Sequence, residues 1–206
     1  MRPIRLTYAP DDADLVRYLS NATGATWTLT ETESSDGFAH TVTIRNDSAT
    51  DHSAKTAILT GTDSEGRLLT ETVNLPGSSL TVTTTRYFKT LVTIVPSATI
   101  NADTMDIGQG AGTSSIVIPL NWRAGNIAVN LDITGTADVT VQNTFDDVQH
   151  PTDFDYAWQN SPSTNLVNAT ASTNDAYDAS PTALRLIFNS STAPASVTIA
   201  LTQSDV

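Results

Sequence analysis

The sequence predicts an all-β protein: two tandem β-sandwich domains, Ig-like or jelly-roll-like, behind a short N-terminal arm. Three observations carry this. Apolar and polar residues alternate at period two along most of the chain, as in Val139, Val141, Asn143 and Phe145, the mark of strands with one buried and one wet face. Roughly one residue in six is threonine, a β-branched type that is stiff at χ1 and suits a pleated surface. The length of 206 residues accommodates two sandwiches of about 100 residues each.

The elements follow in order. Residues 1–24 form the arm, with a short strand over Ile4–Tyr8. A short helix is expected across Asp12–Ser20, capped by Asp11, with Leu15, Tyr18 and Leu19 on one face and Gly24 past its end. The first sandwich spans 25–108. Its strands are read around Trp27–Leu29 and Val42–Ile44, then at Thr56–Thr62, Leu68–Leu75, Leu80–Thr84, Tyr87–Val95 and Met105–Gly108. Asp63-Ser64-Glu65-Gly66 and Pro76-Gly77 supply turns between them. Gln109–Thr113 is glycine-rich and uncharged and reads as a linker.

The second sandwich spans 114–206. Its strands are read at Ser115–Leu120, Ile127–Ile133, Ala137–Phe145, Thr182–Phe188 and Ser196–Gln203, with a tight turn at Gly135 and another at Arg123–Asn126. Residues 146–181 break the pattern and form a long loop, with a short strand possible around Phe154, Tyr156 and Trp158 and an irregular stretch over Asn165–Ser180. Loops of such length are uncommon and often functional.

Composition narrows the function. Asp and Glu number 22 against 10 Lys and Arg, giving a net charge of −12. Such a surface repels phosphate and anionic lipid, so neither nucleic acid nor membrane is an expected partner. There are no cysteines, which removes disulfides, thiolate metal sites and cysteine nucleophiles together. The N-terminus lacks an apolar signal core, and the chain is expected to stay in a cytoplasm until it assembles. With only Lys55 and Lys89 as lysines, the strand edges lack a common guard against pairing with other chains. Coverage of those edges by further copies or by a host lattice is expected, which points to a homo-oligomer.

Two stretches resemble structural proteins of tailed bacteriophages. One is Thr62–Ile94, with an acidic-glycine turn, a TET strand, a Pro-Gly turn and a TRYFKT strand; the other is Ile127–Val148, ending in VTVQNTFDDV. The strand ALRLIF at Ala183–Phe188 follows after a tryptophan-containing loop. The resemblance covers about half of the chain. It implies a non-enzymatic virion component, assembled in the host cytoplasm, whose partners are the major capsid protein or other virion proteins. A capsid decoration or cement protein is the leading reading within that class; a neck, collar or tail protein that joins rings or anchors fibres is the rival. The family offers no catalytic residues to carry over, and no cofactor is expected.

The candidate sites lie on the long loop. Asp146, Asp147, Asp153 and Asp155, with His150, gather enough carboxylate for Ca²⁺. Their spacing departs from the calcium-loop pattern, and a solvated acidic loop or strand-end caps are the leading explanation. Adjacent acids on a strand face opposite ways, so Asp146 and Asp147 do not form a glycosidase pair. Phe154, Tyr156 and Trp158 could anchor a protein partner, stack on sugar rings as in a carbohydrate-binding module, or plug one end of the sandwich. Trp122 and Arg123 are further interface candidates at a turn, and Arg185 is expected to face away from Leu184 and Leu186. The three histidines, His40, His52 and His150, match no ligand motif.

Overall fold

The computed structural model describes residues 4–121, 126–149, 156–177 and 180–203. The protein is all-β: thirteen strands and one 3-10 turn, with no α-helix among the described residues. Contacts divide the chain into two compact units, one of residues Asp12–Thr113 and one of Met1–Asp11 with Ser114–Val206.

In the Asp12–Thr113 unit, strands β2 (Asp14–Ala22), β3 (Ala39–Asn46), β6 (Thr81–Thr83) and β8 (Met105–Ser114) belong to one sheet, with β8 between β2 and β3 and β6 beyond β3. Strands β4 (Thr56–Thr62), β5 (Leu68–Asn74) and β7 (Thr90–Pro96) form a second, three-stranded sheet in the order β5-β4-β7. The core draws on both: Tyr18, Val42, Ile44, Met105 and Ile107 from the first, Ala57, Leu59, Leu91 and Ile94 from the second, closed by Trp27, Leu75, Phe88 and Ile100. Burying such side chains away from water is the main term holding two sheets face to face.

Three expectations for this unit are corrected. Residues 14–22 are a strand, not a helix. The 3.6-like spacing of Leu15, Tyr18 and Leu19 comes from register shifts between Asp14, Leu19 and Ala22 against β8, which place Tyr18 and Leu19 side by side in the buried set. Gln109–Thr113 is not a loop linker either. It lies within β8, where Gln109 pairs with Asp14. Trp27 and Leu29 form no strand; Trp27 makes a single bridge to Ile94 and is buried.

In the other unit, two long strands dominate: β10 (Ile127–Thr144) and β13 (Ala183–Gln203), paired antiparallel along nearly their whole length. β12 (Thr173–Tyr177) and β11 (Gln159–Asn160) lie on the free side of β10. β1 (Ile4–Tyr8) and β9 (Ile118–Pro119) lie on the free side of β13. Ile127, Val129 and Leu131 alternate with exposed Ala128, Asn130 and Asp132, the expected pleat.

Here the tight turn read at Gly135 is overturned. Gly135 sits inside β10 with φ +82°, at a register shift between Thr134 and Thr136. Glycine reaches that backbone region without steric cost, and a bulge uses it as readily as a turn does. The two strands read on either side of it are therefore one. Asn165–Ser180, expected to be irregular, contains β12, and a 3-10 turn over Thr164–Leu166 precedes it. The residues expected as an N-terminal arm do not act as one piece: β1 pairs with β13, while β2 pairs with β8.

Candidate functional site

Of the residues read as candidate sites, Trp122, Arg123, His150, Asp153, Phe154 and Asp155 lie outside the described residues. The rest resolve as follows. The Asp146 carboxylate accepts hydrogen bonds from the Thr144 hydroxyl at 3.2 Å and from the Ala157 amide. It ties the residues just after β10 to Ala157, just ahead of β11, the behaviour of a strand-end cap. Asp147 accepts from the Gln149 amide at 2.9 Å. Among the described residues no group of three or more His, Asp or Glu is placed to hold a metal.

Tyr156 and Trp158 meet edge to face, with ring centroids 6.2 Å apart. The Arg185 guanidinium lies over the Trp158 ring, 4.4 Å from its centroid, a cation–π contact. Arg185 also donates to Gln142 Oε1 through Nε at 2.9 Å and Nη2 at 2.7 Å. Gln142 in turn donates to Asn160 at 3.0 Å. β10, β11 and β13 thus fix this Trp–Arg cluster from three sides. On β12, the Asp175 carboxyl is held below the usual carboxylate range by the Ser163 hydroxyl and the Ala176 amide. Burial pushes the Tyr177 phenol up to about 12.

The two described histidines, His40 and His52, each sit in a hydrogen-bonded array. His40 Nε2 donates to the Asp36 carboxylate at 2.9 Å, and its Nδ1 lies 3.1 Å from both the Thr113 hydroxyl and the Gly110 carbonyl. This Thr–His–Asp connectivity resembles a nucleophilic triad, but His40 and Thr113 are buried at 0% and 1% exposure. The hydroxyl offers no surface to a substrate; the array ties the Asp36 segment and β3 to β8. His52 lies between Asp103 and Lys55, 3.0 Å from each.

A surface that the loop-centred reading missed lies on the β5-β4-β7 sheet. Its outward positions align in rows across the strands: Thr70, Thr60 and Thr93; Thr72, Ile58 and Val95; Leu68, Thr62 and Thr90. None is charged. Leu68 is 80% exposed and Ile58, Val92 and Val95 about half exposed. Thr62 and Thr90 share a hydrogen bond of 2.7 Å within their row, a common cross-strand contact. Val92 is the extra residue of a bulge between β4 and β7. In a chain of net charge −12, a three-stranded face without an ionisable group is the clearest candidate for contact. The Thr-x-Thr spacing on β4 and β5 was the signal available in the sequence.

No family model matches the chain, and no curated protein matches it either.

Proposed function

We propose that this protein is a non-enzymatic structural component of a tailed-phage virion, most plainly a capsid decoration protein that stabilises a shell by protein–protein contact. We further read each unit as a sandwich module, Ig-like or jelly-roll-like. The observation that carries the contact reading is the uncharged threonine and aliphatic face of the β5-β4-β7 sheet. Acidic side chains keep copies apart in solution; a face without them, bearing exposed Leu68, Ile58, Val92 and Val95, is where a neighbour is held. The placement on a virion rests on the resemblance in Thr62–Ile94, Ile127–Val148 and Ala183–Phe188.

The internal arrangement of the candidate residues supports contact over turnover. The hydroxyl of the triad-like array is buried, the Asp146 carboxylate is used as a cap, and Trp158 carries Arg185 on its ring. The test is particle reconstruction with copy number. Hundreds of copies spread over the shell are expected. A dozen or fewer at the neck or tail would move the assignment to the rival virion role, and absence from the particle would end it.

A further inference from the structure

We propose that Lys55 is a nucleophilic lysine, served by His52 and Asp103, that takes up one acyl group from an acyl thioester. The site goes beyond the contact role above and does not depend on it. It is a single self-modification and not a turnover.

The geometry supplies a nucleophile, a base and an orienting acid in line. Lys55 Nζ lies 3.0 Å from His52 Nδ1, and His52 Nε2 lies 3.0 Å from Asp103 Oδ2. An ammonium has only protons to offer, so Lys55 donates and Nδ1 accepts. The ring proton therefore sits on Nε2, which donates to the Asp103 carboxylate. That fixes the tautomer a base needs, with a lone pair on Nδ1 aimed at the amine. A nucleophile within hydrogen-bond reach of a base, itself oriented by a third group, is the general arrangement for activating side-chain nucleophiles.

The backbone holds all three in place. The Lys55 amide donates to the His52 carbonyl at 2.9 Å, closing a tight turn, and the Leu75 amide donates to the Lys55 carbonyl at 2.8 Å. The Asp103 amide donates to the Ile100 carbonyl at 3.3 Å. Burial separates the roles. The His52 side chain is 2% exposed and that of Asp103 27%. Lys55 is half-buried, and the bond of 2.7 Å from its Nζ to the Thr99 carbonyl lies at the surface. An incoming group thus meets the amine and not the base. The Thr113–His40–Asp36 array has the same connectivity with its hydroxyl closed off; here the nucleophile is the outer member.

The step balances without a further reactant. The Lys55 ammonium loses one proton to solvent, which frees its lone pair to attack the thioester carbonyl carbon. As the N–C bond forms, a second N–H proton passes to His52 Nδ1, and the Asp103 carboxylate stabilises the imidazolium. The C–S bond breaks and the leaving thiolate takes up that proton. The products are an amide on Lys55 and a free thiol. Charge favours this electrophile: a thioester is neutral at its reacting end, whereas an acyl phosphate brings an anion to a chain of net charge −12.

Acetylation of the full chain by S-acetyl-N-acetylcysteamine, a small neutral thioester, followed by mass spectrometry of its peptides, tests this. Lys55 and Lys89 are the two lysines of the chain, and Lys89, half-buried as well, is the internal reference. Lys55 is expected to react at least about tenfold faster than Lys89, a modest share of what a positioned base contributes. His52→Gln and Asp103→Asn are expected to abolish that preference while leaving the Lys89 rate and the circular dichroism unchanged. Asp103→Glu, which keeps a carboxylate, is expected to retain most of it. Equal rates at the two lysines in the wild type overturn the proposal without any variant. A preference that survives His52→Gln or Asp103→Asn in a folded chain overturns it too. With acetyl phosphate the Lys55 preference is expected to shrink, and a larger preference than with the thioester overturns the choice of electrophile.

Discussion

At the scale of single residues, the buried ions are the sharpest features. The Asp106 side chain is 5% exposed and accepts from Arg45 Nη2 at 2.6 Å and the Asn21 amide at 2.8 Å. Burial opposes its ionisation, but the Asn21 amide and the Arg45 guanidinium outweigh burial and hold the carboxyl below its usual range. A carboxyl depressed in the folded state binds its proton more readily when unfolded. Its stabilisation is therefore complete above the unfolded value of about 4 and is lost as pH falls through the lower, folded value. Asp106→Asn is expected to cost about 2 kcal/mol at neutral pH, the scale of charge-assisted hydrogen bonds. In urea titrations across pH, the gap to wild type should narrow below about pH 4; a constant gap would show that Asp106 is not the group responsible. Neither this pair nor the buried His40–Gly110 contact was legible in the sequence. Their partners are 85 and 61 residues away for Asp106, and His40 meets Gly110 across 70. Trp158 and Arg185 were legible as residues of interest, from the aromatic spacing of the loop and from an arginine inside an apolar strand, but not as a stacked pair, since Trp158 lies just ahead of β11 and Arg185 on β13.

At the scale of elements, alternation located strands well where pairing is regular and failed where bulges interrupt it. Thr56–Thr62 has no shift against β5 and was readable to its end residues. β2 carries two shifts against β8 and imitated a helix. Gly135 imitated a turn for the same reason. The threonine rows also needed register, because their period is visible in one strand but their alignment exists only across three. Glycine at a bulge has a second use, close approach, and this yields a prediction. Gly61 lies at the shift between β4 and β7, and a Cβ built there would fall 1.9 Å from the Thr90 carbonyl oxygen. That contact is with backbone, so no side-chain rotation relieves it. Gly61→Ala is expected to lower unfolding stability by about 3 kcal/mol through overpacking. Thermal denaturation followed by circular dichroism measures it, and a shift no larger than that of Gly66→Ala in the exposed turn would contradict the close-packed reading of this site.

At the scale of the whole molecule, the informative fact is that one unit is discontinuous. The Asp12–Thr113 unit is a continuous stretch with its own two-sheet core, whereas the other takes a strand from the start of the chain. That strand is not marginal. β1 pairs with β13 over five residues, from Ile4 opposite Leu201 to Tyr8 opposite Val197. Tyr8 is buried against Phe188 with ring centroids 6.5 Å apart. Losing a buried aromatic side chain alone costs about 3 kcal/mol or more, and removing the strand also bares the edge of β13. Expressed alone, 12–113 is expected to unfold cooperatively with an all-β spectrum, while 114–206 is expected to be poorly folded or aggregated. The register supplies the rescue. β13 runs toward Leu201 and Gln203, and β1 begins opposite Leu201 and runs back, so a short turn joining the end of β13 to Ile4 makes an ordinary antiparallel hairpin. A fragment permuted in this way, 114–203 followed by 4–11, should recover cooperative unfolding. If 114–206 folds equally well without residues 4–11, then β1 is an accessory, and the unit's stability comes from the β10–β13 pair alone.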